Sequence, residues 1–168
     1  HLYYSMPEKL KLMQTPNDIR LAFSHTWQWY SDRKQKLVEL FQHRSQPGQD
    51  ISVILLGRPY IVSDPSMNKN IPQKFNQYGV PTFFQDMLPP VDQLTYKAGK
   101  EYHFWNHWRY AAFILNAAEY AGQNRGLYPV FLTGFKCSPD SFVINYFKEI
   151  MDVYQKPYLI LQVDEHDS

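Results

Sequence analysis

The sequence lacks the features that mark several large classes of protein. It holds one cysteine, Cys137, which excludes an internal disulfide framework and any complete cysteine-based metal site made by this chain alone. The chain has seventeen basic and sixteen acidic residues. Its net charge of +1 gives no broad positive potential that would attract nucleic acid or an anionic membrane surface. No apolar run reaches the roughly 18 residues that span a bilayer, and the start lacks the apolar middle of a secretory signal. We therefore expect a cytoplasmic protein that binds neither nucleic acid nor a membrane.

Common nucleotide-binding and hydrolase motifs are also missing. Neither G-x-x-x-x-G-K-[ST] nor G-x-G-x-x-G occurs, so we expect no ATP or NAD site in this chain. No serine lies in a G-x-S-x-G turn, which leaves hydrolase chemistry without support.

The composition is that of a globular domain with many aromatic residues. A chain of 168 residues with 44% hydrophobic content is large enough for one continuous core. Its 17% aromatic content indicates thick packing layers or a surface that another domain covers. We expect an N-terminal extension with a long helix over residues 1–48 and a parallel α/β domain over residues 49–168. The edges of the sequence suggest that the domain is a fragment of a larger protein.

Hydrophobic spacing predicts the order of helices and strands. Asn17 is a good N-cap, and apolar residues then recur at helical spacing from Ile19 to Phe41, which predicts one long amphipathic helix. Four apolar runs typical of buried strands follow, at 51–57, 80–84, 128–135 and 157–163, and helical patterns separate them. In the last of these helices, Phe142, Tyr146, Phe147, Ile150 and Val153 are predicted to face inward. Alternating strands and helices predict an α/β, flavodoxin-like three-layer fold with a four-stranded parallel sheet, for which analogy suggests the order 2-1-3-4.

Chemically capable residues follow the predicted strands. In an open parallel sheet, ligands collect at the carboxyl ends of the strands. Arg58 follows the first strand and could bind a phosphate or carboxylate, or could pair with Asp86 or Asp164 for structural reasons. Cys137 follows the third strand at a predicted helix N-terminus, which stabilises a thiolate, although a lone cysteine is more often a small buried apolar residue.

A cluster of three titratable residues follows the fourth strand. Asp164, Glu165 and His166 could assist proton transfer or bind a metal. Helix capping or simple solvation explains such a cluster at least as well.

Several short motifs together resemble a known family. These are Gly57-Arg58-Pro59-Tyr60, the run Cys137-x-Pro139-Asp140-Ser141-Phe142, Lys156-Pro157 and Asp164-Glu165-His166. In this order and approximate spacing, between Ile51 and His166, they are similar to the acyl-CoA dehydratase activase-related proteins. The similar region of those proteins is the one that resembles the subunits of 2-hydroxyacyl-CoA dehydratases.

This resemblance implies a redox function. Such relatives hold an iron-sulfur cluster of the 4Fe-4S type with cysteines from flavodoxin-like lobes, and ATPase activase domains drive a low-potential electron to it for chemistry on an acyl-CoA. By position, Cys137 is the implied cluster ligand, and the residues implied to line the site are Arg58, Tyr60, Asp86, Asp140, Ser141, Asp164, Glu165 and His166. Because one thiolate cannot hold a cluster, we expect the isolated chain to be cluster-free and inactive.

Two other functions remain open from the sequence. The chain could be a docking or scaffold module whose aromatic surface contacts neighbouring domains of the same polypeptide, with Cys137 merely packed. It could also be an independent thiol enzyme that uses Cys137 with His166.

Overall fold

The computed structural model describes residues 15–45, 51–89, 109–134 and 138–163 of the chain. Its helices are α1 (Pro16–Arg44), α2 (Pro59–Val62), α3 (Ile71–Gln77), α4 (Arg109–Gln123) and α5 (Ser138–Val153). Its strands are β1 (Ser52–Gly57), β2 (Thr82–Phe84), β3 (Leu127–Gly134) and β4 (Leu159–Val163), and a 3-10 helix at Gln85–Met87 follows β2 directly.

The four strands form one all-parallel sheet in the order β2-β1-β3-β4. Every residue of β1 is buried, as expected for a central strand with both faces covered. Parallel neighbours cannot be joined by tight turns, so helical crossovers connect them. The predicted α/β class, the parallel sheet and the 2-1-3-4 order are confirmed.

Alternate residues of β1 enter two apolar layers. Ile54 and Leu56 lie in the larger layer, which α4 and α5 cover, whereas Val53 and Leu55 lie in the smaller one beside α2 and α3. The chain leaves β1 in one direction to reach β2 and then moves in the opposite direction to β3 and β4. Right-handed crossovers that run in opposite directions place their helices on opposite faces of a sheet. The strand order therefore accounts for the three layers.

Helix α1 begins two residues before the position predicted from the sequence. Thr15, not Asn17, is the N-cap, and Pro16 occupies the first turn. The Thr15 hydroxyl accepts from the Asp18 backbone N-H at 3.3 Å, while an Asp18 carboxylate oxygen accepts from the Thr15 N-H at 2.9 Å. This reciprocal capping box satisfies the backbone N-H groups of Thr15 and Asp18.

The C-terminal half of α1 attaches the helix to the domain. Phe41 is 2% exposed and meets the ring of Phe83 edge-on, with centroids 5.0 Å apart. The Lys34 amino group donates to the backbone oxygens of Asp86 and Leu88, the latter at 2.9 Å. The N-terminal half remains largely exposed, so the predicted amphipathic face is only partly buried against this domain.

Strand starts differ from the predicted ones because pairing partners set them. β2 begins at Thr82, which pairs with Val53, rather than at residue 80. β4 begins at Leu159, which pairs with Val130, rather than at residue 157. An apolar run can therefore extend beyond the residues that find a hydrogen-bonding neighbour.

The buried face of α5 is narrower than predicted. Val143, Phe147 and Ile150 are buried against the larger layer. Phe142 and Val153 were predicted to face inward, but they are 41% and 52% exposed. The prediction was wrong there because only one face of α5 packs against the sheet, and these two residues lie outside that face.

Gly57 is required where β1 ends beside β3. Its φ is +150°, and a Cβ atom built on it would lie 2.4 Å from the backbone oxygen of Leu132. Backbone atoms cannot yield as a flexible side chain can. A side chain at this position therefore meets both strain and a clash.

We expect Gly57→Ala to lower the free energy of unfolding by about 3 kcal/mol, measured by urea denaturation, because conformational strain adds to overpacking. Gly79→Ala is the matched control, since Gly79 has φ +73° but open space around the built Cβ. Strain alone should cost the control about 1–2 kcal/mol. Equal losses in the two variants would contradict the close approach of β1 to Leu132.

Candidate functional site

The carboxyl edge of the sheet brings together residues from three separate segments. Arg58 follows β1, Gln85 and Asp86 follow β2, and α5 begins at Ser138 four residues after β3 ends. Four predicted site residues, Cys137, Asp164, Glu165 and His166, lie outside the described residues.

A buried ion pair links the ends of β1 and β3 to the first turn of α5. The Arg58 Nε atom donates to Asp140 Oδ1 at 2.7 Å, and the Thr133 hydroxyl donates to Asp140 Oδ2 at 3.2 Å. The Asp140 side chain is 3% exposed and that of Arg58 is 25% exposed. Both carboxylate oxygens are therefore bonded, and the negative charge lies where the dipole of α5 favours it.

Arg58 has a partner that the sequence-based expectation did not include. Asp86 and Asp164 were the expected structural partners of Arg58, because each follows a predicted strand. Asp140, 82 residues along the chain from Arg58, bonds to it in the structure, whereas Asp164 lies outside the described residues. Asp140 was not expected as a partner because it lies in the first turn of a helix and does not directly follow a strand.

Gln85 is a structural member of this edge that the sequence reading missed. Its side-chain amide donates to the Gly57 backbone oxygen at 2.8 Å and accepts from the Gly57 N-H at 3.1 Å. The amide thus pairs with the end of β1 as one more strand residue would. A polar residue directly after a strand is the only sequence signal for this contact, and it is a weak one.

The remaining described candidates are more exposed. Tyr60 is 54% exposed in α2, and Ser141 is exposed next to Asp140. Asp86 lies beside α1, where its backbone oxygen accepts from Lys34. The structure therefore brings Arg58 and Asp140 together and leaves Asp86 on the other flank of the edge.

An open groove lies on that other flank. Its volume is about 650 Å³, within the range of small-molecule sites. We call it the aromatic groove, and the residues that line it are Phe23, Thr26, Trp27, Trp29, Tyr30, Arg33, Lys34, Leu37, Pro59, Gln85, Asp86, Tyr110 and Phe113. The sequence reading predicted an aromatic surface but not its place at the carboxyl edge.

Metal-binding groups are sparse in this part of the chain. Among the described residues, no three His, Cys, Asp or Glu side chains lie close enough together to hold a metal ion. The chemistry of the donors on the whole chain allows Cys137 to hold one corner of an iron-sulfur cluster and no more, because the chain has one cysteine. None of the helices within the described ranges is both long and apolar enough to cross a membrane.

We expect Arg58→Met to lower the free energy of unfolding by about 2–3 kcal/mol, because it leaves the buried Asp140 carboxylate without its counter-charge. Asp140→Asn in the same chain should recover part of this loss. A double-mutant cycle in urea should then give a coupling of about 1 kcal/mol or more between the two positions. Strictly additive losses would show that the pair contributes nothing as a pair.

The lowered pKa of Lys34 predicts that the stability of the fold depends on pH in the alkaline range. Burial lowers the pKa of Lys34 below its ordinary value, and the nearby Asp86 carboxylate opposes that shift. Between the folded and unfolded pKa values, the unfolded chain binds more protons, so a rise in pH favours the folded state. We expect the unfolding free energy of the wild type to rise relative to that of Lys34→Met as the pH rises toward the ordinary lysine pKa. The control is Lys36→Met, an exposed lysine on the same helix, and parallel curves for wild type and Lys34→Met would contradict the shift.

Comparison with known families gives one match. The family described as "CoA enzyme activase uncharacterised domain" matches residues 2–88, just over half of the chain, including α1, β1 and β2. No curated protein and no solved structure matches. The chain therefore belongs to the family of the CoA enzyme activase uncharacterised domain.

Proposed function

We propose that this domain is one lobe of an iron-sulfur protein that couples ATP-driven electron transfer to acyl-CoA dehydratase-type chemistry. Cys137 contributes one cluster ligand in this proposal. The observation that carries it is the anchored first turn of α5. Asp140, bound by Arg58 and Thr133, fixes this turn to the carboxyl edge, and Cys137 is the residue immediately before the helix begins.

A thiol at this place in the chain suits metal binding for a physical reason. The unpaired N-H groups and the dipole at the start of a helix favour negative charge, and therefore the thiolate form of a cysteine. The Asp140 carboxylate also lies in the field at the start of α5, but the positive charge of Arg58 neutralises it. The ion pair thus leaves the local charge balanced and gives the start of α5 a fixed position.

The roles of this chain in the proposal are to bind and to position. Cys137 supplies one thiolate, and the Arg58–Asp140 pair holds the adjoining helix in place. A bound cluster would supply one-electron transfer at low potential. The other thiolates come from other domains of the same polypeptide, whose ATPase activase domains also supply the energy, and the substrate class is an acyl-CoA. The family match to a CoA enzyme activase domain supports this general setting.

The test is the iron and acid-labile sulfide content of the complete polypeptide that contains this chain, after anaerobic reconstitution. We expect the wild type to carry a cluster with a visible absorption band and Cys137→Ser to lose or alter it. Tyr78→Ser is the control, because Tyr78 is 86% exposed and not part of the carboxyl edge. An unchanged cluster in Cys137→Ser, or no cluster in the wild type, contradicts the proposal.

The same variants separate the two other functions left open by the sequence. A scaffold module would show no iron and slow alkylation of Cys137 by iodoacetamide, since the thiol would be packed. A thiol enzyme would show fast alkylation without iron, and the rate would fall in His166→Ala. Either pattern would replace the cluster proposal.

A further inference from the structure

A row of residues at alternating spacings of four and three runs along α1. This is the spacing of the positions that face a partner helix in helix-helix packing. The row consists of Phe23, Trp27, Tyr30, Lys34, Leu37 and Phe41.

The two halves of this row have different surroundings. At the C-terminal end, Phe41 is buried, and Lys34 bonds to the backbone after β2. Further toward the N-terminus, Trp27 is 58% exposed and Tyr30 is 46% exposed, although the row is continuous. The exposed part therefore extends an interface that the helix already makes with its own domain.

The aromatic groove gives this exposed part a second wall. Tyr110 lines the groove from α4, and Pro59 and Gln85 line it from the carboxyl edge of the sheet. The Trp27 ring is 5.8 Å from the Tyr30 ring and 6.3 Å from the Phe23 ring, centroid to centroid, so these three rings form a continuous aromatic surface on the α1 wall. Exposed apolar surface of this kind, rimmed by polar residues, is typical of interaction sites.

The length of the wall favours an elongated occupant. Phe23 and Leu37 both line the groove and lie 14 positions apart, which is about 21 Å along a helix at 1.5 Å per residue. A single planar ring system covers only part of such a wall, whereas a helix of about four turns covers all of it. Helix-in-groove recognition uses apolar anchors at this same repeat.

The charged residues that line the groove indicate which charge an occupant would carry. Asp86 offsets the charge of Lys34, whose amino group already bonds to the backbone after β2, so Arg33 carries the net positive charge of the groove lining. The Arg33 guanidinium carbon lies 5.1 Å from the centroid of the Trp29 ring, at the rim of the same wall. An exposed guanidinium beside an apolar wall suits an acidic side chain that flanks an apolar face.

We propose that the aromatic groove is a docking site for an amphipathic helix of another domain or protein, whose apolar face is flanked by Asp or Glu. The apolar face packs on Trp27, Tyr30 and Tyr110, and an acidic residue pairs with Arg33. This inference does not depend on Cys137 or on any cluster.

The test uses two labelled 21-residue helical peptides with the same apolar face, Leu at positions a and d of three heptads. One carries Glu at positions e and g, and the other carries Lys there. We expect the chain to bind the Glu peptide at least about tenfold more tightly than the Lys peptide by fluorescence anisotropy, and Arg33→Glu to reverse this preference. Trp27→Ala should weaken binding of the Glu peptide by about tenfold or more.

Leu21→Ala is the matched control. Leu21 lies on the same helix and is 48% exposed, but it does not line the groove, so binding should be unchanged. Circular dichroism and urea denaturation of each variant separate a lost contact from a lost fold. No binding of the Glu peptide, or equal binding of the two peptides, overturns the proposal.

Three further outcomes assign the groove to another occupant and so also overturn it. Tighter binding of adenosine monophosphate than of the Glu peptide would indicate a small-molecule site. Dimerisation that Trp27→Ala abolishes, seen by sedimentation, would indicate a second copy of the chain. Binding of the Glu peptide that requires replacement of residues 90–108 by a Gly-Ser linker would assign the groove to that segment.

Discussion

The ion pair between Arg58 and Asp140 is the interaction on which the carboxyl edge depends. A carboxylate as buried as that of Asp140 loses its hydration, and only well-placed partners offset that loss. Those partners come from β3 and from the residue after β1, which are 75 positions apart along the chain but adjacent in the sheet. The pair therefore requires β1 and β3 to lie side by side in parallel. It links the order of the strands to the position at which α5 begins.

The fold class was predictable because the parallel sheet imposes a strong pattern on the sequence. A strand buried on both faces must be apolar throughout, and the run from Val53 to Leu56 meets that condition without interruption. An edge strand is under weaker constraint, and Leu159 of β4 remains 44% exposed. Strand starts were less predictable, because they depend on where a partner begins rather than on local sequence. The N-cap of α1 was hard to predict for a similar reason. Thr15 and Asn17 are both favoured cap residues, and only the hydrogen bonds between Thr15 and Asp18 distinguish them.

The candidate site was predictable in its residue types and only partly in its contacts. Arg58 and Asp140 were both named from the sequence, the first from its place after a strand and the second from a motif. Their pairing was missed because Asp86 and Asp164 carry the same charge and also follow predicted strands. Gln85 was missed because a side-chain amide that imitates a strand leaves no pattern of its own. The tertiary fold decides which of several carboxylates pairs with a distant arginine. Hydrophobic periodicity predicts helices and strands, but it does not predict such pairs.

The two features of the carboxyl edge share a short segment of backbone. Gln85 lines the aromatic groove and also bonds to both polar backbone groups of Gly57, and Arg58 follows directly. Pro59, the next residue, lines the groove as well. An occupant of the groove would therefore contact Pro59, which follows Arg58, and Gln85, which bonds to the Gly57 backbone before it. Gly57 also packs so closely on β3 that an added Cβ would meet the Leu132 backbone oxygen, so this segment is fixed from both sides. The proposed docking groove and the proposed site at the strand ends thus adjoin one short stretch of backbone, residues 57–59.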